Sequence, residues 1–167
     1  MFWKRKPDFV IAPNGTPAMN RWHLIPRNRF LSIYLHNLVQ DDPQDLHDHR
    51  SWNISIVLRG GYWETMPMYR PLMPEYALDV FQTNLKRKWR GPGSVIVRRA
   101  TDAHRLELER YYGAVAGSKP ASSWSIFITG PTWRTWGFWL KSGWVPYNEY
   151  VTVKDGVSVG KNASKPR

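Results

Sequence analysis

The sequence contains no cysteine, which excludes disulfides and thiolate metal sites. Any metal would have to be held by histidine, carboxylate or backbone oxygen. Long apolar runs are also missing, and nothing approaches the roughly 20 residues needed to cross a bilayer. The start, Met1-Phe2-Trp3-Lys4-Arg5-Lys6-Pro7, carries charge with no apolar stretch behind it, so no signal peptide is read. A cytoplasmic protein that does not engage membrane is expected, and the lack of cysteine is compatible with a reducing compartment. Acidic residues are scarce, 13 against 24 Lys and Arg, for a formal net charge of +11. Such a balance attracts anionic molecules and nucleic acid. The positives are scattered, with modest clusters at Lys4-Arg5-Lys6, Lys86-Arg87-Lys88 and Arg98-Arg99, which favours incidental basicity over nucleic-acid binding. Internal repeats and a convincing helical period are absent as well.

What is present is a series of short runs dense in β-branched and aromatic residues: 30–36, 52–58, 94–97, 105–108, 124–129 and 136–139. Turn residues punctuate them. Gly60-Gly61 suits a tight hairpin, and Pro92-Gly93 and Gly130-Pro131 mark reversals. The pattern predicts an all-β sandwich or small barrel. Only Pro43–Leu46 and Tyr147–Val151 invite a short helical turn. At 167 residues the chain fits one domain with its own core. Residues 1–20, with Pro7, Pro13 and Pro17, are read as an extended arm, 21–153 as the single domain, and 154–167 as a frayed polar tail. Residues 65–90, with Pro67, Pro71 and Pro74, are read as a long excursion with one weak strand.

Two of five histidines form His47-Asp48-His49. On a strand, spacing of i and i+2 sends both imidazoles to one face and Asp48 to the other. Alone the pair is a weak signal, because such pairs also occur on surfaces. The stretch from Leu46 to Gly61, however, resembles the first motif of the cupin superfamily, where His-x-His is followed by a strand and a closing glycine. Pro92 to His104 resembles the second, where a glycine opens a strand and one histidine returns to the metal. Together the match covers about residues 30–140. The chain looks similar to small bacterial and phage cupin-domain proteins of poorly defined function. Their pattern corresponds to Leu35-His36, Asp41-Asp42-Pro43, Leu46 to His49, Gly60-Gly61-Tyr62-Trp63-Glu64 and Trp136-Gly137-Phe138. The resemblance implies a jelly-roll-like small barrel, or double-stranded β-helix, with a metal on His47, His49 and His104.

One departure matters. Cupins usually add a glutamate four or five residues after the second histidine, where this chain has Asn53 and Ile54. Asn53 has the strand parity to face inward, but an amide oxygen is a weak ligand beside imidazole. A shell of three neutral histidines leaves the full charge on a divalent metal and keeps positions open. It suits Fe(II), as in the thiol dioxygenases that this site resembles, and equally Zn(II).

Around the triad, His36 shares parity with Tyr34 and Ser32, so it is read as a hydrogen-bonded interior residue of the pocket beside Tyr34. His23 carries no spacing argument and is read as structural. Glu64 shares parity with Tyr62. If both face the barrel they are the catalytic candidates, with Glu64 as base, as acceptor behind a ligand or as occasional fourth ligand. A solvated carboxylate at a strand end is the alternative. Arg99 precedes His104 in a turn, and an arginine close to a dicationic metal would point to a carboxylate or phosphate substrate. An outward ion pair with Glu107 or Glu109 is its other reading. Trp133, Trp136, Trp139 and Trp144 are too many for one small barrel, so part of this set is expected at the barrel mouth or a homodimer interface.

The sequence thus supports a metal-dependent enzyme, such as a non-haem iron dioxygenase, acting on a small polar or anionic molecule. The alternatives are a non-catalytic metal- or ligand-binding module and, less favoured, a basic nucleic-acid binder or modifier.

Overall fold

A computed structural model describes residues 5–12, 16–26, 28–69, 84–110, 121–140, 143–150, 152–154 and 157–159. Every regular element among them is a strand: β1 Phe9–Ile11, β2 Met19–His23, β3 Ser32–Leu38, β4 Leu46–His47, β5 Asn53–Arg59, β6 Tyr62–Pro67, β7 Leu85–Arg90, β8 Val95–Arg98, β9 Arg105–Leu108, β10 Ser123–Thr129, β11 Gly137–Leu140, β12 Gly143–Pro146, β13 Thr152–Lys154 and β14 Val157–Val159. The chain has an all-β jelly roll of the cupin kind, as the motifs implied.

Alternation explains how the strands build an interior. In β5, Asn53, Ser55 and Val57 are buried while their neighbours are not, and in β8 the buried positions are Ile96 and Arg98. Antiparallel pairing sets Asn53 opposite Arg98 and Ser55 opposite Ile96, so these side chains share one face. The larger sheet runs β1-β2-β3-β10-β5-β8. The opposing layer consists of β7-β6-β9 and β12-β11-β4. These two three-stranded pieces are stitched by one isolated bridge, His47 to His104. The seam of this layer therefore runs between two of the candidate metal ligands.

The apolar core is modest. Val57, Tyr62 and Ile96 cluster with Leu106, while Leu46 and Ala103 cluster with Leu85 and Trp139. Eleven buried polar residues stand beside eleven buried apolar ones among those described. Burying so much polarity is costly unless every group is bonded, which marks this interior as more than packing.

The turns depart from expectation in an informative way. Gly60-Gly61 does not close a hairpin: β5 pairs with β10 and β8, whereas β6 pairs with β7 and β9. The pair instead turns the chain from one sheet into the other. Gly60 has φ of 73°, and a Cβ there would run into the backbone carbonyl of Ser122. Such a corner requires glycine, both for the positive φ and for the close approach. Gly91 to Ser94 makes a similar corner from β7 to β8, with Gly93 at φ 85° and Ser94 N–H donating to the Gly91 carbonyl at 3.1 Å. Proline second and glycine third is the requirement of a type II turn.

Other boundaries differ too. The stretch read as an arm contains β1 and the first two residues of β2, and the two strands pair from Phe9–Arg21 to Ile11–Met19. Its described prolines, Pro7 and Pro17, flank these strands rather than interrupt them. The excursion over 65–90 holds the end of β6 and all of β7; Pro71 and Pro74 lie outside the described residues. Leu46 starts a strand instead of ending a helical turn. At 147–149 a single turn does form, with the N–H groups of Glu149 and Tyr150 both donating to the Pro146 carbonyl at 2.9 and 3.0 Å. At the boundary of the expected tail, β13 pairs with β14, which lies within the tail.

Candidate metal centre

The backbone places the histidines before any side chain acts. His47 and His104 exchange two hydrogen bonds, N–H to carbonyl, each at 2.9 Å. Residues paired this way project their side chains to the same face. His49 N–H donates to the Ala100 carbonyl at 2.9 Å, which ties the second histidine to the segment leading into His104. Asp48 points the other way and works as a clamp. Its carboxylate accepts the Gly137 N–H at 2.8 Å and the Trp144 indole N–H at 3.0 Å, and it pairs with Arg134 at 2.9 Å. Arg134 also donates to the carbonyls of His49 at 3.0 Å and Ala100 at 3.3 Å. The i, i+2 parity read from the sequence is thus enforced from both sides.

One ligand nitrogen from each of His47, His49 and His104 can be chosen so that all lie within 4.8 Å of one another. The Nε2 atoms of His49 and His104 approach to 2.8 Å. Burial, then the neighbouring His104, pushes the His49 pKa well below its ordinary 6.5. Burial and the Arg98 charge bring His104 down to about 3. Both rings are therefore neutral near pH 7, the state in which imidazole offers a lone pair to a metal.

Glu64 decides which lone pair His104 offers. Its carboxylate is 2 % exposed and accepts His104 Nδ1–H at 2.9 Å, Arg98 Nε–H at 2.7 Å and Arg90 Nε–H at 2.7 Å. Burial alone would raise its pKa, but the His104 hydrogen bond and the Arg98 charge outweigh that and hold it far below the usual carboxylate range. Glu64 is thus ionised near neutral pH. With Nδ1–H engaged, the free lone pair of His104 sits on Nε2, facing His49. The solvated strand-end carboxylate is ruled out by this burial, and a group so strongly held in its ionised form is a weak base.

The arginine inside the fold is Arg98, not Arg99. Arg98 is 5 % exposed and also donates to Ser55 Oγ at 3.1 Å and Asn53 Oδ1 at 3.4 Å, whereas Arg99 is exposed. The signal was legible: Arg98 stands two residues from Ile96 and shares its inward face. Arg90 belongs to none of the motifs or clusters read from the sequence, and its bond to Glu64 carried no sequence signal. The anion that a buried arginine demands is supplied internally by Glu64.

Asn53 is fully buried, with Oδ1 on Arg98 and Nδ2 unpartnered. Tyr62 is buried beside Val57 and Ile96, and burial raises its phenol pKa. His36 stands apart from the triad. Its Nε2 accepts Arg21 Nε–H at 2.9 Å, and its ring stacks on Phe127 at 4.8 Å and Tyr34 at 5.7 Å. Phe127 in turn lies 6.0 Å from His49, so His36 and Tyr34 line the same interior without joining the ligand group. His23 is engaged at the surface, its backbone N–H donating to Asp8 at 2.9 Å. Of the tryptophans, Trp136 stacks on Tyr147 at 5.0 Å and meets His47 edge-on at 6.1 Å, while Trp133 is 66 % exposed.

The donor set fits a divalent metal: three convergent nitrogens, two of them on rings held neutral and one of these fixed in tautomer by a carboxylate. Neutral imidazoles suit Zn(II) and Fe(II) alike.

No protein-family model matches the sequence, and no curated protein matches it either. Solved structures do match. Fe(II)-HppE, in complex with its alternative substrate (S)-1-HPP, aligns over 75 % of this chain and 56 % of its own, at 14 % identity and a TM-score of 0.50. A Ralstonia eutropha protein of unknown function with a cupin-like fold aligns over 80 % and 67 %, at 11 % identity and 0.49. DMSP lyase DddQ from Ruegeria pomeroyi aligns over 83 % and 56 %, at 12 % identity and 0.47. The chain spans about half to two thirds of the length of these structures. At such identities the similarity establishes the cupin fold alone.

Proposed function

We propose that this protein is a metal-dependent cupin enzyme whose divalent ion, Fe(II) or Zn(II), is held by His47, His49 and His104, and whose reaction, with Fe(II) bound, is an oxygenation of a small polar or anionic substrate. The observation that carries the reading is the convergence of three imidazole nitrogens within 4.8 Å, with Glu64 behind His104. Such a carboxylate–histidine pair orients a ligand and raises its basicity. A bound Fe(II) would supply the redox chemistry, and a bound Zn(II) only Lewis acidity.

The chain's own residues would do the rest. Glu64 keeps Nε2 of His104 unprotonated, and Arg98 keeps Glu64 ionised. Asn53 stands where cupins carry a ligating glutamate, with a buried amide N–H₂ unpartnered, and is suited to donate to a bound molecule rather than to ligate. Tyr62 interacts with Arg98 and Ser55, while His36, Tyr34 and Phe127 form an aromatic wall. Glu64, committed to two arginines, serves as a positioning residue and not as the general base. That commitment gives the second reading its support: with no free base among these residues, the same fold could hold metal and ligand without turnover.

Metal analysis of natively purified protein tests the proposal. One equivalent of iron per chain is expected, lost when all three histidines become alanine, together with O₂ consumption on a panel of small acids. Substoichiometric metal, or metal surviving the triple variant, overturns it. Zinc with no O₂ uptake selects the non-catalytic module.

A further inference from the structure

A cleft of about 420 Å³ reaches the interior from the Glu64 side of His104. Glu64, Arg98 and His104 line it, and neither His47 nor His49 does. The cleft therefore meets the candidate metal centre along the edge where Glu64 holds His104. Met66, Met68 and Ile96 give it an apolar wall. Its volume lies within the roughly 300–1,000 Å³ of small-molecule sites.

The charge around this cleft does not balance. Among the described residues four cations line it, Lys86, Arg90, Arg98 and Arg99, against two anions, Glu64 and Asp102. Glu64 is consumed by Arg98 and Arg90, each at 2.7 Å. Asp102 accepts the backbone N–H of Arg99 at 2.7 Å. The side chains of Lys86 and Arg99 have no carboxylate partner among the described residues. Two uncommitted cations at one concave, partly apolar site focus a positive field and recruit an oxyanion. A guanidinium fork and an ammonium together match a carboxylate or phosphate head group.

We infer that this cleft is a binding pocket for a small organic anion, one carboxylate or phosphate on a short apolar body, recognised by Lys86 and Arg99. Calling that anion the substrate rests on the metal-centre reading; the binding itself does not. Buried Arg98 and half-buried Arg90 take no part in recognition, because Glu64 already occupies both.

Calorimetric titration of the full chain with inorganic phosphate, and separately with acetate, distinguishes the two head groups. At least one is expected to bind with a 1:1 stoichiometry. Lys86→Ala and Arg99→Ala should each weaken it about tenfold, the loss of one charge-assisted bond. Arg59→Ala, at an exposed arginine outside the cleft, should leave it unchanged, and all variants should keep the wild-type melting temperature. Binding of neither probe, wild-type affinity in the double variant, or an equal loss in Arg59→Ala overturns the proposal. The two readings fail separately. Phosphate held through Lys86 and Arg99 by a chain without metal keeps the cleft and removes the metal centre. One metal per chain with no anion bound does the reverse.

Discussion

His47 and His104 face each other across a single backbone bridge, yet their surroundings are opposite in kind. His104 and its partner Glu64 have side chains 5 % and 2 % exposed, in contact at 2.9 Å. His47 and Asp42 are 14 % and 16 % exposed, with Nδ1 and the carboxylate 3.9 Å apart. That distance is too long for a hydrogen bond, and His47 Nδ1 has no partner. One ligand is therefore locked by a dry ionic network drawn from β6, β7 and β8. The other hangs on a short strand beside a loop carboxylate already engaged with the Leu106 N–H at 2.7 Å. The His104 side is preorganised and the His47 side can still adjust, which suits a centre that must both hold an ion and accommodate a ligand.

The harshest way to break the contrast is Glu64→Ala. It strands Arg98 and Arg90 without their counter-ion, and removing one partner of a buried ionic network costs about 3–5 kcal/mol. Urea denaturation should show a loss of this size, and a loss below about 1 kcal/mol would mean that the network relaxes into solvent.

Acid attacks the buried histidines, His104 of the dry side among them. In metal-free protein His36, His49 and His104 are neutral when folded, while in the unfolded chain they protonate near their ordinary 6.5. Below that pH the unfolded state binds more protons, so stability falls as pH drops. Each histidine contributes about 1 kcal/mol per pH unit, or about 3 kcal/mol together, and for His104 the decline continues to about pH 3. Glu64 acts in the same direction at lower pH, since its depressed pKa adds stability above the ordinary carboxylate value of 4.5 that is lost below it. Chemical denaturation at pH 7, 6 and 5 checks the slope, and a bound metal should flatten it by competing with protons for His49 and His104.

The two sides were unequally legible in the sequence. His47, His49 and His104 could be read because strand parity and motif order are local properties, and the structure brings their nitrogens together. Six strand cores were likewise visible as β-branched and aromatic runs. The ionic network behind His104 was only half visible. Glu64 was nominated from its parity with Tyr62, but its partners are Arg98, 34 residues on, and Arg90, 26 residues on. No local rule connects residues at such separations across two sheets. The Gly60-Gly61 corner was misread for the same reason: a hairpin and a sheet-to-sheet turn use the same residues, and only long-range pairing separates them. β1 is hidden in the sequence because Phe9-Val10-Ile11 is only three residues long and stands among prolines that read as an extended arm.

A finer test keeps the fold and removes only the charge. Glu64→Gln retains an acceptor for His104 Nδ1–H but not the ion pairs that fix it. Metal affinity should fall about 10–100-fold, the usual range for a partner behind a ligating histidine, as read by competition with a chelating dye. Unchanged affinity would demote Glu64 to a purely structural counter-ion.

The smallest effect is expected at Asp42→Asn, where the asymmetry is decided. An asparagine can still accept the Leu106 N–H through its amide oxygen, so the loop keeps its anchor. Only the charge facing His47 is lost, and at 3.9 Å between half-shielded groups that charge is worth less than about 1 kcal/mol. Metal affinity should therefore change by less than about threefold, with thermal stability unaltered. A tenfold loss would show that Asp42 closes onto His47 Nδ1 when the ion binds. The two sides would then become alike in the loaded protein, each histidine backed by its own carboxylate, and the contrast would belong to the metal-free state alone.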